Sequence, residues 1–109
     1  MTRVLSIGFV FALLLVAPAS LFAQDKGATV YAAQKCSLCH SIDGKGNAKG
    51  ALDSVGANMS ADDIRHWIVN PVEMAAKAKA TRKPAMKAYT LPKEDLDALV
   101  AFLAAKKKA

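Results

Sequence analysis

Cys36-Ser37-Leu38-Cys39-His40 decides how this chain is read. Two thiols three residues apart can bond covalently to the two vinyl groups of one haem, and the histidine that follows then lies under the iron. C-x-x-C-H therefore reads as a c-type haem attachment site. In that reading Cys36 and Cys39 are thioether anchors and His40 is the proximal iron ligand. The pair C-x-x-C has two other readings, a thioredoxin-like redox couple and half of a zinc site. The first wants a βαβ setting, which no strand pattern supplies. The second wants four N/S ligands. The chain has two cysteines and two histidines, and His66 lies 26 positions beyond His40, outside the usual finger spacing.

The residues before the motif set its compartment. Arg3 forms a short basic start, and Val4 to Ala17 is an apolar run of 14 residues without a charge. Pro18, Ala19, Ser20 and Ala23 then provide the small and turn-forming residues of a cleavage region. The expected organisation is a signal peptide over 1–23, cleaved near Ala23, and one domain over 24–109. An uncleaved anchor is the competing reading, but Pro18 and Ser20 interrupt the run and its strongly apolar part is short for a bilayer. Either way the cysteines face an oxidising compartment. Export to the periplasm is the expectation.

The chain from Gln24 has 86 residues, at the small end of what folds alone. A buried haem is a large apolar body and supplies core that so short a chain lacks, at about 25 cal/mol per Å² of apolar surface. The haem-free chain is therefore expected to be largely unfolded. Without Arg3 the chain carries 14 basic and 9 acidic residues. The excess gathers at Lys77, Lys79, Arg82, Lys83 and Lys87, with Glu73 the one acid nearby, and again at Lys35, Lys45 and Lys49. Such lysines either solvate a small protein or steer it toward a redox partner with an acidic docking surface. No nucleic-acid motif accompanies the charge. The run Lys106-Lys107-Lys108 reads as a frayed helix end favoured by the helix dipole.

Only helices and loops are expected. The stretch 26–38 is Ala-, Lys- and Gln-rich and suits a helix leading into the haem motif. Residues 42–59 hold Gly44, Gly46, Gly50 and Gly56 without a sustained period and read as a long loop. Ser60 with Asp63 marks a helix start at 61, running to about 69 with Ile64, Trp67 and Ile68 on its apolar stripe. Asn70-Pro71 ends it and opens another helix to about 80. Leu96, Leu99, Val100 and Leu103 place an amphipathic helix over about 92–106. The fold class is all-α.

A sixth ligand to the iron is available from Met59, Met74, Met86 or His66. Thioether sulfur opposite imidazole raises the reduction potential. Met86 stands in the irregular stretch Lys83-Pro84-Ala85-Met86-Lys87-Ala88-Tyr89, where a loop can carry it over the face opposite His40, so Met86 is the expected distal ligand. Met74 lies in a helical stretch and suits packing. Met59 directly precedes a helix cap. His66 points off the apolar stripe of its helix, toward solvent. Gly27 lets another helix approach closely, and Tyr31, one turn on, can then meet Leu99, Phe102 and Leu103. Simple fraying at Gly27 is the alternative.

Together these residues resemble the class I c-type cytochromes, small soluble bacterial monohaem proteins, over essentially all of 24–109. Cys36-x-x-Cys39-His40 matches their haem attachment. Gly50-Ala51-Leu52 is similar to the family's Gly-Pro-x-Leu-type segment, in which a backbone carbonyl holds the second nitrogen of the haem histidine; Ala51 replaces the usual proline. Trp67 with Asn70-Pro71 resembles the aromatic-x-x-Asn-Pro signature, whose ring packs by the haem. Met86, two residues after Pro84, matches the distal ligand. Gly27 and Tyr31 match the Gly-x-x-x-aromatic of the first helix, and Leu99 with Phe102 the last helix that crosses it. The resemblance implies a cytochrome c fold of about four helices around one haem c with its iron, with Leu52 and Trp67 packing beside it.

The function expected is one-electron transfer by a periplasmic, monomeric carrier without stable membrane insertion, and not catalysis, since no paired acids converge obviously on the iron. Two alternatives stay open. One is an electron-relay subunit of a dehydrogenase or oxidase complex. The other is a haem enzyme or gas-binding protein with an open sixth position.

Overall fold

The computed structural model describes Gly8 and residues 19–108. Most of the expected leader thus lies outside the described residues. Helix α1 (Ala19–Ala33) begins within it and passes Ala23 without a break. Gln24 is already tied to the body of the protein, its side-chain amide donating to the Ala101 carbonyl at 3.2 Å. Just before it, Leu21 and Phe22 are exposed. No described helix is long and apolar enough to cross a membrane.

The helix expected over 26–38 thus starts earlier and ends sooner. The amides of Gln34 and Lys35 close its last turn on the Val30 and Ala32 carbonyls. Lys35 then takes a left-handed conformation, φ 56°, and redirects the chain. Cys36–Leu38 is a separate 3₁₀ turn.

The segment read as structureless holds a small hairpin. Strands β1 (Ser41–Ile42) and β2 (Lys45–Gly46) pair antiparallel, with Ser41 opposite Gly46 and Ile42 opposite Lys45. Asp43 and Gly44 form its two-residue loop, both at positive φ, as a type I′ turn requires. The Asp-Gly pair was the signal for it. Strands of two residues are too short to show an alternating pattern. A further 3₁₀ turn (Ala48–Gly50) and the short α2 (Val55–Asn58) follow.

Helix α3 (Ala61–Val69) forms where the capping signal put it. Ser60 Oγ accepts from the Asp63 amide at 3.1 Å, and Asp62 and Asp63 face the positive end of the helix dipole. Asn70 separates it from α4 (Pro71–Ala78), with Pro71 as first helical residue. The Asn70 side chain makes no cap bond; its amide instead donates to Glu73 Oε2 at 2.8 Å. Helix α5 (Lys93–Ala104) buries Ala98, Leu99, Val100, Phe102 and Leu103.

Helices α1 and α5 cross at Gly27. A Cβ on Gly27 would overlap the Ala98 carbonyl oxygen and the Phe102 Cβ. The glycine is what lets the two backbones meet, and Tyr31 packs its ring 5.9 Å from that of Phe102. Val30, Ile42, Ile64, Ile68, Leu99, Val100, Phe102 and Leu103 make one continuous core between α1, α3, α5 and β1.

The C-terminal lysines are not frayed. The Gly56 amide donates to the Lys106 carbonyl at 2.8 Å and the Lys108 amide to the Asp53 carbonyl at 3.0 Å. Ser54 Oγ donates to the Lys108 carbonyl at 2.5 Å. Two backbone bonds and the Ser54 hydroxyl hold this tail to residues 53–56, and charge alone gives no sign of them.

Candidate functional site

The 3₁₀ turn after α1 brings Cys36, Cys39 and His40 together, because the amides of Cys39 and His40 both donate to the Cys36 carbonyl. Both cysteines are free and half-buried. Burial pushes the Cys36 thiol above its ordinary pKa, with Lys87 acting weakly against it.

His40 is oriented from the other side. Its Nδ1 lies 2.9 Å from the Gly50 carbonyl oxygen. An amide carbonyl only accepts, so Nδ1 carries the hydrogen and donates, which leaves the Nε2 lone pair free. Burial holds the imidazole below its ordinary pKa, partly offset by the Gly50 bond and helped by the nearby Arg82 charge. A neutral imidazole with a free Nε2 is the form that ligates a metal. Gly50, not the following Ala51, supplies the carbonyl. A side chain at Gly50 would overlap Cys39, His40 and Arg82. The tertiary contact, rather than the position of the missing proline, picks the residue.

Met86 belongs to the irregular stretch between α4 and α5, where it is half-buried and packs on the edge of the core. Both ends of that stretch are tied down. The Tyr89 amide donates to the Ile68 carbonyl at 2.9 Å. Arg82 Nη2 donates to the Cys39 carbonyl at 2.5 Å. Burial, reinforced by the thiols of Cys36 and Cys39, pushes the Tyr89 phenol above its usual range. The Arg82 bond brings the start of the methionine segment beside Cys39.

Of the other candidates, His66 is exposed on α3 and Met74 is half-buried on α4. Met59 is half-buried beside Leu52 and Val55, in a hollow over 51–59. Leu52 packs against the core. Trp67 is half-buried but stands outside that continuous core, unlike its stripe-mates Ile64 and Ile68. Among the described residues no three His, Cys, Asp or Glu side chains gather as a metal cluster.

The donor set suits a haem: two thiols on one turn, an oriented imidazole with Nε2 free, a thioether on an anchored loop, and a large indole not absorbed by the core. Sequence reasoning missed Arg82 and Tyr89 as parts of this site. Arg82 is exposed, as a surface cation is, and its contact with Cys39, 43 positions away, has no local signal.

A family model described as cytochrome c matches residues 24–107. No curated protein and no solved structure gave a match. The match starts where Gln24 first bonds to α5 and ends in the tail pinned to 53–56. With its mostly helical architecture and its C-x-x-C-H spacing, the chain belongs to the cytochrome c family, as a haem-binding electron-transfer protein with covalently attached haem c and its iron.

Proposed function

We propose that this protein is a periplasmic one-electron carrier, in which Cys36 and Cys39 would anchor the haem and His40 and Met86 would ligate its iron. The observation that carries the reading is the 2.9 Å contact between His40 Nδ1 and the Gly50 carbonyl, which presents Nε2 as a donor. When bound, haem c supplies an iron that gains and loses a single electron. The protein residues hold its surroundings constant. Gly50 fixes the imidazole, the bonds of Tyr89 and Arg82 fix the two ends of the Met86 segment, and Leu52 and Trp67 offer apolar surface that excludes water. Fixed ligands keep the rearrangement between the two oxidation states small.

The carrier acts as a free monomer on partners with acidic docking surfaces, after processing near Ala23 and without membrane insertion. Lys79, Lys83 and Lys87 are exposed for such encounters. Lys77 is engaged by Glu73 at 3.0 Å. Exposed cations of this kind speed encounter more than they strengthen binding.

The test is the protein recovered from the periplasm. Its mass is expected to equal the chain from Gln24 plus one haem, and its oxidised spectrum to carry the weak sulfur-to-iron band. Met86→Ala should lose that band and make the reduced protein bind carbon monoxide. A mass equal to the amino acids alone would overturn the proposal.

A further inference from the structure

Arg82 precedes Met86 by four residues, and its guanidinium reaches back across the fold. Nη2 donates to the Cys39 carbonyl at 2.5 Å. Nη1 lies against Gly50, where an added Cβ would overlap it. One planar fork therefore touches two backbone stations on either side of His40: the peptide that precedes it and the glycine whose carbonyl holds its ring. No carboxylate lies within ion-pair distance of Arg82 among the described residues. The side chain is exposed, and its two backbone contacts rather than burial hold the charge near the proximal histidine.

We propose that Arg82 is a positioning residue of the electron-transfer site. It buckles the Met86 segment to the Cys39–His40 peptide and raises the reduction potential of the centre by its positive charge. The proposal rests on His40 and Met86 as the axial pair. The oxidised centre carries one more positive charge than the reduced one, so a fixed cation nearby favours the reduced state. A lysine preserves that charge, but a single ammonium on a flexible stem cannot span both stations as the fork does.

The experiment compares the haem-loaded wild type with Arg82→Gln, Arg82→Lys and Lys83→Gln. The last removes an equal charge one residue along. At a fixed ambient potential, Arg82→Gln should shift the oxidised-to-reduced ratio about three- to tenfold toward oxidised, the size expected of a partly screened neighbouring charge. That shift is about 30–60 mV for a one-electron couple. Arg82→Lys should stay within about twofold of wild type in this ratio, since it keeps the charge. Both Arg82 variants should let added imidazole displace the methionine about tenfold faster, because the buckle is open in each. Lys83→Gln should move neither readout by more than about twofold, as expected of a charge that no contact holds beside His40.

The proposal is overturned if Arg82→Gln shifts the ratio no more than Lys83→Gln, or if Arg82→Lys binds imidazole at the wild-type rate. The axial pairing fails separately, through a wild-type oxidised spectrum without the sulfur-to-iron band.

Discussion

Gly27 on α1 and Ala98 on α5 meet backbone to backbone, so closely that the Ala98 carbonyl oxygen occupies the place a Cβ would take. Gly27→Val should therefore push the helices apart at the centre of the core. Overpacking against an unyielding backbone falls at the upper end of the usual range, about 3 kcal/mol. In a domain of this size that lowers Tm by about 12–24 °C. Thermal unfolding of the haem-loaded protein checks it, and an unchanged Tm would contradict the crossing.

The tail gives a second prediction. Removing residues 106–109 deletes the bonds to Asp53, Ser54 and Gly56. A loss of about 1–3 kcal/mol is expected, because these are exposed bonds of modest net worth. Hydrogen exchange gives a sharper readout: the Gly56 amide should be protected in the full chain and exchange freely in the truncated one. Equal exchange in both would mean the tail frays.

The third concerns acid. Lys93 at 2.7 Å and Arg65 at 2.8 Å hold the Asp97 carboxyl below its usual pKa. A carboxylate with a depressed folded-state pKa stabilises the fold above its unfolded-state pKa. That contribution disappears as pH falls through the folded-state value. Wild type should therefore exceed Asp97→Asn in Tm near neutrality, and the gap should close below about pH 4. A gap that persists in acid would rule out this ion pair as its source.

The fourth concerns the haem itself. Protein made without haem should lack most of its helical circular dichroism, since Trp67 stands off the core and the chain from Gln24 is short. Full native ellipticity in the haem-free chain would show that α1, α3 and α5 suffice.

Much of the fold was legible because its signals are local. Ser60 and Asp63 mark a helix start within four residues, Pro71 suits only a first helical turn, and the 3.6-residue period of Leu96 to Leu103 names the buried face of α5. The haem motif is equally local, since its chemistry needs two thiols and an imidazole at one spacing. The hairpin at Asp43-Gly44 escaped because two-residue strands carry no periodicity. The early end of α1 escaped because the left-handed turn falls on Lys35, a residue without a glycine's preference for that conformation.

By itself, then, the order of residues determined helices α3, α4 and α5, the attachment motif and the class of cofactor, each being a property of neighbours along the chain. Tertiary structure alone decided that Gly50 supplies the carbonyl to His40, that Arg82 reaches Cys39, and that the terminal lysines bind residues 53–56. Those pairs lie far apart in sequence and meet only once α1, α3 and α5 have closed on a common core. A hydrogen bond reports the distance between two atoms in space, which the intervening sequence does not encode locally.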